Sequence, residues 1–372
     1  MSTCRAANNI GRREHPNAPL QVMPRRLVSS RLMAAASYPR YCFANWPHHI
    51  TGMQKNGVSF REHCELGEVR WLRDYDRALA LAAEQGKPVL LLFQEVPGCS
   101  TCVRFGQDVL THPLMVELIA DRFVPVATFN NHPGADAEIL RRYDEPSWNN
   151  PVVRFLGPDG GELLPKLVDR YEALGLHEKI TAVLEMLGDD VPGYFRSLGR
   201  DLLVEYGLSK RVTYTTPCFW SGETSLAQHP AVITTDAGWV DGEEVVQVHF
   251  EPREVSGTDM DSYARAERFS PIESGGFELD REPQFYLRKI AARHLPLTPA
   301  QRTQINLAVP YRCSLADVLS PQQCAWLADP RLQQSSEDEA YRQDIRQSWP
   351  ALVAQLGLIG KEQRSWMSPP SA

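Results

Sequence analysis

The chain has 372 residues, a hydrophobic share of 43%, a charged share of 23% and a net charge of −7. That length accommodates two ordinary domains with their own cores. The mild acidity argues against a nucleic-acid or anionic-membrane partner, and no run of about 18 apolar residues offers a membrane span.

Residues 1–60 stand apart: they hold eight Lys/Arg and a single acidic residue, Glu14, with no persistent apolar period. They read as a basic, disordered leader, or as a transit-like segment, with Met53 as an alternative start. Order begins near Val69. DYDRALALAAEQ is rich in helix formers and stops at Gly86. Lys87-Pro88 then leads into VLLLFQEV, an apolar run of strand length that suits a strand buried on both faces. PGCSTCVRFGQDVLTHPLMVELIADRF reads as helical between its prolines, and FVPVATFNN as the next strand. NNPVVRFLGPDGGELL reads as a hairpin turning at Pro158-Asp159-Gly160-Gly161. HEKITAVLEMLG is a closing helix stopped by Gly188. The order α-β-α-β-β-α fits an α/β/α domain over 69–190.

A joint at GDDVPGYF separates this from a second pattern. RVTYTTP alternates like a strand, CFWSGETSLAQ reads as a helix, and AVITTDAGWVDGEEVVQVHFEP as two strands around an Asp241-Gly242 turn. From Asp261 the pattern is mixed and mostly helical. The second domain is therefore α+β over 205–330, followed by a polar tail over 331–372 with a short amphipathic stretch, SWPALVAQLGLIG.

The eight cysteines are Cys4, Cys42, Cys64, Cys99, Cys102, Cys218, Cys313 and Cys324. They are too scattered for a disulfide scaffold, which suggests a reducing, cytoplasmic setting in which a few thiols do chemistry. Cys99-Ser-Thr-Cys102 follows a buried strand and opens a helix. The partial positive charge and unpaired N–H groups of a helix start favour thiolate over thiol. Cys99 is the expected attacking thiol and Cys102 the resolving one. A zinc site would need four ligands, and no second close Cys/His pair accompanies these two; no metal is expected.

These residues resemble the thioredoxin-like superfamily over about 120 residues, with KPVLLLFQ before the dithiol and FVPVATF after it. The resemblance implies a cis proline opposite the cysteines, which falls on Pro151. Pro97-Gly98 stands where the family usually has a tryptophan before the first cysteine.

Pro217-Cys218-Phe219-Trp220 also follows a strand and opens a helix, so the same argument supports an activated thiol at Cys218. With HPAVITTDAGWVDG, GEEVVQVHFEP, DREPQF and PLTPAQ in order, residues 211–305 resemble the A-type peptide methionine sulfoxide reductases. The resemblance implies Cys218 as nucleophile, Glu244 as the acid that protonates the sulfoxide oxygen, Asp280 as the family's aspartate, and Phe219, Trp220, Trp239 and Phe285 around the substrate. Trp239 and Phe285 fall where the family has tyrosines, and Pro217 replaces its glycine. Attack would leave Cys218 as a sulfenic acid. Cys313 and Cys324 are the candidates to condense with it, and the Cys99/Cys102 dithiol would reduce the product by exchange. Expected partners are oxidised methionine-containing proteins or peptides and an upstream thiol reductant; no cofactor beyond thiols is implied. The alternatives are a non-catalytic redox sensor and a general disulfide reductase using only Cys99 and Cys102.

Overall fold

The computed structural model describes residues 63–272, 275–334 and 340–356. The expected leader, with Cys4 and Cys42, lies outside them. The described residues fall within one unit, Lys55–Ala372.

Helix α1 (Tyr75–Gln85) begins at Asp74, whose side chain accepts from the Arg77 N–H, and ends at left-handed Gly86. Both are ordinary helix ends. Strand β1 (Val89–Gln94) is buried throughout. It pairs in parallel with β2 (Val124–Phe129) and antiparallel with β3 (Val152–Leu156), which pairs with β4 (Glu162–Leu167). Apolar clusters cover both faces of the β2-β1-β3-β4 sheet. An inner strand so placed has no polar side, which is why VLLLFQ reads as one apolar run.

The helical stretch after Cys99 comes in three pieces: α2 (Ser100–Arg104), a π turn over Phe105–Val109, and α3 (Pro113–Arg122). Gly106 in that turn lies against the backbone of residues 64–65; a Cβ there would come within 2.1 Å of the Cys64 carbonyl oxygen. A helix absent from the sequence reading, α4 (Ala135–Arg142), joins β2 to β3. With the broken α2–α3 stretch counted as one helix, the order is therefore α-β-α-β-α-β-β-α, one helix more than expected. Helix α5 (Ala173–Leu187) ends at left-handed Gly188, as read.

The expected joint runs straight into another helix, α6 (Gly193–Glu205). Its Phe195, Leu198 and Leu202 share the core of the first half. Gly199 admits the His177 imidazole, which would lie 2.3 Å from a Cβ there.

The second sheet is antiparallel, in the order β8-β5-β7-β6-β9. Its strands are β5 (Lys210–Thr215), β6 (Val232–Val240), β7 (Glu243–Phe250), β8 (Ser270–Ile272) and β9 (Glu278–Leu279). Asp241 and Gly242 turn β6 into β7 with φ of 51° and 84°, the pair of positive values that a two-residue hairpin turn needs. Helices α7 (Phe219–Ala227), α8 (Gly257–Ala266), α9 (Pro299–Ala308), α10 (Pro321–Leu327) and α11 (Ile345–Gln355) complete this half. The tail is folded in part: α11 buries Ile345 in the first half's core and Leu352 in the last cluster. Among the described residues, no helix is long and apolar enough to cross a membrane.

Two carboxylates tie the first half to helix starts in the second. Asp201 on α6 accepts from the Ala300 N–H (2.8 Å), and Glu117 on α3 from the Gln322 N–H (2.6 Å). Burial pushes Asp201 up from 3.8 to about 7 and Glu117 from 4.5 to about 7, against the lowering effect of those donors. A raised acid binds its proton more tightly folded than unfolded, so its contribution falls as pH rises toward 7. Asp201→Asn keeps an acceptor for Ala300 and removes the titration. Urea unfolding at pH 5 and pH 8 should show a smaller loss of stability in the variant than in the parent. An identical loss in both would rule out this role for Asp201.

Candidate functional site

The first centre sits where β1 gives way to α2. Cys99 is the N-cap of α2, with φ −70° and ψ 172°, and is exposed; Cys102, one turn in, is buried. Their sulfurs are 3.6 Å apart, the contact of a reduced pair, since a bonded pair would stand at about 2.05 Å. The Cys102 N–H at the helix start lowers the Cys99 thiol below its usual value. Burial opposes this, while the Cys102 thiol and the Thr101 N–H add to it. Burial pushes the Cys102 thiol up to about 12. Cys102 donates to Asn150 Oδ1 at 2.7 Å, and the Asn150–Pro151 peptide is cis.

Behind the pair, Glu65 accepts from the Gly98 N–H at 2.6 Å, and Gln94 Nε2 donates to the Glu65 and Cys102 carbonyls. Gly98 belongs to this packing. A Cβ there would stand 2.3 Å from the Glu95 carbonyl oxygen and 2.7 Å from Cys102 Cβ, so the tryptophan usual in the superfamily has no room. Glu95, Cys99 and Cys102 bring three potential ligand atoms within 4.8 Å of one another, one short of the four a structural zinc takes.

The second centre is built on the start of α7 and the paired ends of β6 and β7. Cys218 is the N-cap of α7 and half-buried. Glu244, on β7 directly opposite Trp239, accepts the Phe219 N–H through Oε2 at 2.9 Å. Its carboxylate therefore sits at the residue next to Cys218. Trp239 Nε1 donates to Asp280 Oδ1 at 3.1 Å, and the Asp280 N–H donates to the Ala237 carbonyl.

The aromatic residues form a row. Trp239 meets Phe219 edge-on at 5.2 Å, Phe219 lies 5.7 Å from Trp220, and Trp220 stacks on Phe285 at 4.3 Å. Lys289 Nζ lies 4.6 Å from the Phe285 ring centroid. Thus Cys218, Glu244, Asp280, Phe219, Trp220, Trp239 and Phe285, named from sequence alone, belong to one neighbourhood.

Among the described residues, no contact joins Cys313 or Cys324 to it. Cys313 is exposed beyond Tyr311, whose hydroxyl accepts from Gln228 at the far end of α7, about 15 Å of helix from the Cys218 end. Cys324 is half-buried on α10; burial raises its thiol, with the Glu117 carboxylate adding to the rise.

One residue that sequence reasoning passed over holds the second centre together. Glu223 has no exposed surface and accepts from the Ala237 N–H, the Gln284 N–H and Nε2, and Asn306 Nδ2. Burial pushes its carboxyl well above the ordinary range, with Asp236 adding, against the N–H groups that favour the charge. It locks α7 to β6, to the segment carrying Phe285, and to α9. The available signal was its spacing: Phe219, Gly222, Glu223 and Leu226 share the buried helix face, where an acid needs donors.

The dithiol at the strand–helix junction and the four-stranded sheet define the first half as a thioredoxin-like thiol oxidoreductase domain, a fold that implies thiol–disulfide redox activity. A family model described as thioredoxin-like matches residues 70–158. Among solved structures, a thioredoxin from Thermus thermophilus aligns at 29% identity over 31% of this chain and 86% of its own, with TM-score 0.27. A DsbH oxidoreductase aligns at 16% identity over 36% and 95%, with TM-score 0.28. No curated protein matches the chain.

Proposed function

We propose that the chain reduces methionine-S-sulfoxide in peptides or proteins at Cys218 and recycles that thiol through Cys99 and Cys102. The observation that carries this reading is the Glu244 carboxylate held by the N–H next to Cys218, at one end of an aromatic row. A sulfoxide presents an apolar methyl and a polar oxygen, for which ring faces and an acid are the matching groups.

The steps balance as follows. The Cys218 sulfur attacks the sulfoxide sulfur, Glu244 gives a proton to the oxygen, and the products are methionine and a Cys218 sulfenic acid. A second thiol condenses with the sulfenic acid, forming a disulfide and releasing water. The Cys99/Cys102 dithiol reduces that disulfide by exchange and becomes a disulfide itself. An external thiol reductant returns the two electrons.

A specific contact favours a second reading, the redox sensor. The only donor of Trp239 is engaged by Asp280, and Phe285 has no hydroxyl, so neither supplies the hydrogen bond that the family's tyrosines give the oxygen.

A single-turnover experiment separates the two. Pre-reduced protein is mixed with methionine-S-sulfoxide and dimedone, without added reductant. The proposal expects one methionine per chain where dimedone captures the sulfenic acid, up to two where the Cys99/Cys102 dithiol recycles Cys218 first, and a dimedone adduct at Cys218. An adduct formed by peroxide but not by the sulfoxide, with no methionine released, would leave the sensor reading in its place.

A further inference from the structure

We propose that the reduced Cys99/Cys102 dithiol and Glu95 together form a zinc-binding site with one open position, and that zinc held there masks the attacking thiol. The site belongs to the dithiol domain and needs no sulfoxide turnover.

Glu95, Cys99 and Cys102 each offer one ligand atom, and the three atoms lie within 4.8 Å of one another. The two sulfurs are 3.6 Å apart. Two thiolates bound to one zinc at about 2.3 Å, at the tetrahedral angle, stand about 3.8 Å apart. The reduced pair is therefore spaced for a shared ion with almost no movement. A thiolate and a carboxylate oxygen on the same zinc stand about 3.5 Å apart, which a turn of the Glu95 side chain reaches. Glu95 is half-buried, and its Oε2 already accepts from the Cys99 N–H at 3.2 Å. Gly98 permits this approach: the chain folds back so closely that a Cβ there would stand 2.3 Å from the Glu95 carbonyl oxygen and 2.7 Å from Cys102 Cβ. Among the described residues, no Lys or Arg pairs with Glu95, so its charge is available to a cation. Cys99 is exposed, which gives the ion a way in and leaves a place for water as the fourth ligand.

The donor set selects the ion. Thiolates favour soft cations over magnesium or calcium, and two sulfurs with one carboxylate suit a tetrahedral zinc. A structural zinc takes four protein ligands, whereas three with a water make the open arrangement of an accessible one. On binding, both thiols give their protons to solvent, two zinc–sulfur bonds form, and the Glu95 carboxylate takes the third place. Nothing is oxidised or reduced. The hydrogen bond from Cys102 to Asn150 Oδ1 is given up with its proton. The Cys99 sulfur is then committed to the metal, so the loaded chain does not attack a disulfide, and removing zinc restores the attack.

The test uses the full chain reduced with a phosphine, its Cys99→Ser, Cys102→Ser and Glu95→Gln forms, and zinc in competition with a chromophoric chelator. The reduced parent should hold one zinc more than the same chain oxidised with diamide, a treatment that removes both thiols without any substitution. Cys99→Ser and Cys102→Ser should lose that ion. Glu95→Gln keeps an oxygen for the Cys99 N–H and removes the carboxylate. Its affinity should fall by about 100-fold, since even the outer partners of metal ligands are worth about 10–100-fold. Cobalt in place of zinc should give a thiolate-to-metal absorption band in the parent and in neither cysteine variant. Equal zinc content in the reduced and oxidised parent overturns the proposal, as does an ion retained by Cys99→Ser or Cys102→Ser. Unchanged affinity in Glu95→Gln would leave a dithiol without its carboxylate and overturn the three-ligand site.

Discussion

Changing Glu244 to glutamine should lower methionine-S-sulfoxide turnover by about 10²–10⁴-fold, the usual contribution of a positioned general acid. The substitution is chosen for what it keeps. Glu244 Oε2 accepts from the Phe219 N–H, and a glutamine oxygen accepts that bond equally well, so the start of α7 and the position of Cys218 are retained. What is lost is the proton. On the proposed sulfoxide-reductase reading of residues 211–305, two tyrosines would share the task of binding the oxygen. Here one position is Phe285 and the other is Trp239, committed to Asp280. No hydroxyl at those positions is left to back up the acid, which places the expected loss toward the upper end of that range. The measurement is steady-state turnover with dithiothreitol, beside iodoacetamide labelling of Cys218. Turnover within a few-fold of the parent, with labelling intact, would move the acid role to another group. Loss of labelling as well would point to disturbed packing instead.

The local features of both centres were legible in the sequence because each is written within a short stretch. A buried strand ending in Gly98-Cys99 and a helix starting at Ser100 need no tertiary information. Likewise Trp239 and Glu244 face each other because Asp241-Gly242 fixes the register of one hairpin. Illegible were features set by packing between distant segments. ADAEILRR offers only Ile139 and Leu140 to a core and follows Pro133-Gly134, so α4 shows little apolar period. GYFRSLGRDLLVE follows a proline and contains two glycines, which reads as a joint; it is a helix because Phe195, Leu198 and Leu202 bury against α5 and Gly199 admits His177. The buried acids Asp201, Glu117, Glu145 and Glu223 look like surface charge in sequence, since only the fold brings their donors to them. Cys313 and Cys324 were grouped with Cys218 by domain alone, and domain membership sets no distance.

The two thiols of the first centre should part company completely under substitution. Cys99→Ser is expected to abolish disulfide reduction, because Cys99 carries the lowered thiol and the exposed sulfur, and a serine hydroxyl is no nucleophile toward sulfur without a base. Cys102→Ser should still attack once and then stall, accumulating one mixed disulfide per chain. The asymmetry is set by position on the helix. At the N-cap, Cys99 faces unpaired N–H groups that stabilise its thiolate. Cys102 is sunk where burial opposes charge and holds its thiol up at about 12, which leaves a thiolate fraction of about 10⁻⁵ at pH 7. Iodoacetamide at pH 7 should therefore mark Cys99 long before Cys102. Lowering the pH slows Cys99 only as it crosses that depressed value, below the pH at which an ordinary thiol fades. Cys102→Ala removes the thiol that adds to the lowering but keeps the Cys102 N–H that leads it, so the profile should move up only part of the way. Equal labelling of the two cysteines, or a profile in Cys102→Ala that returns all the way to that of an ordinary thiol, would mean that the helix start does not govern the reactivity of this centre, and the assignment of Cys99 as the attacking thiol would have to be given up.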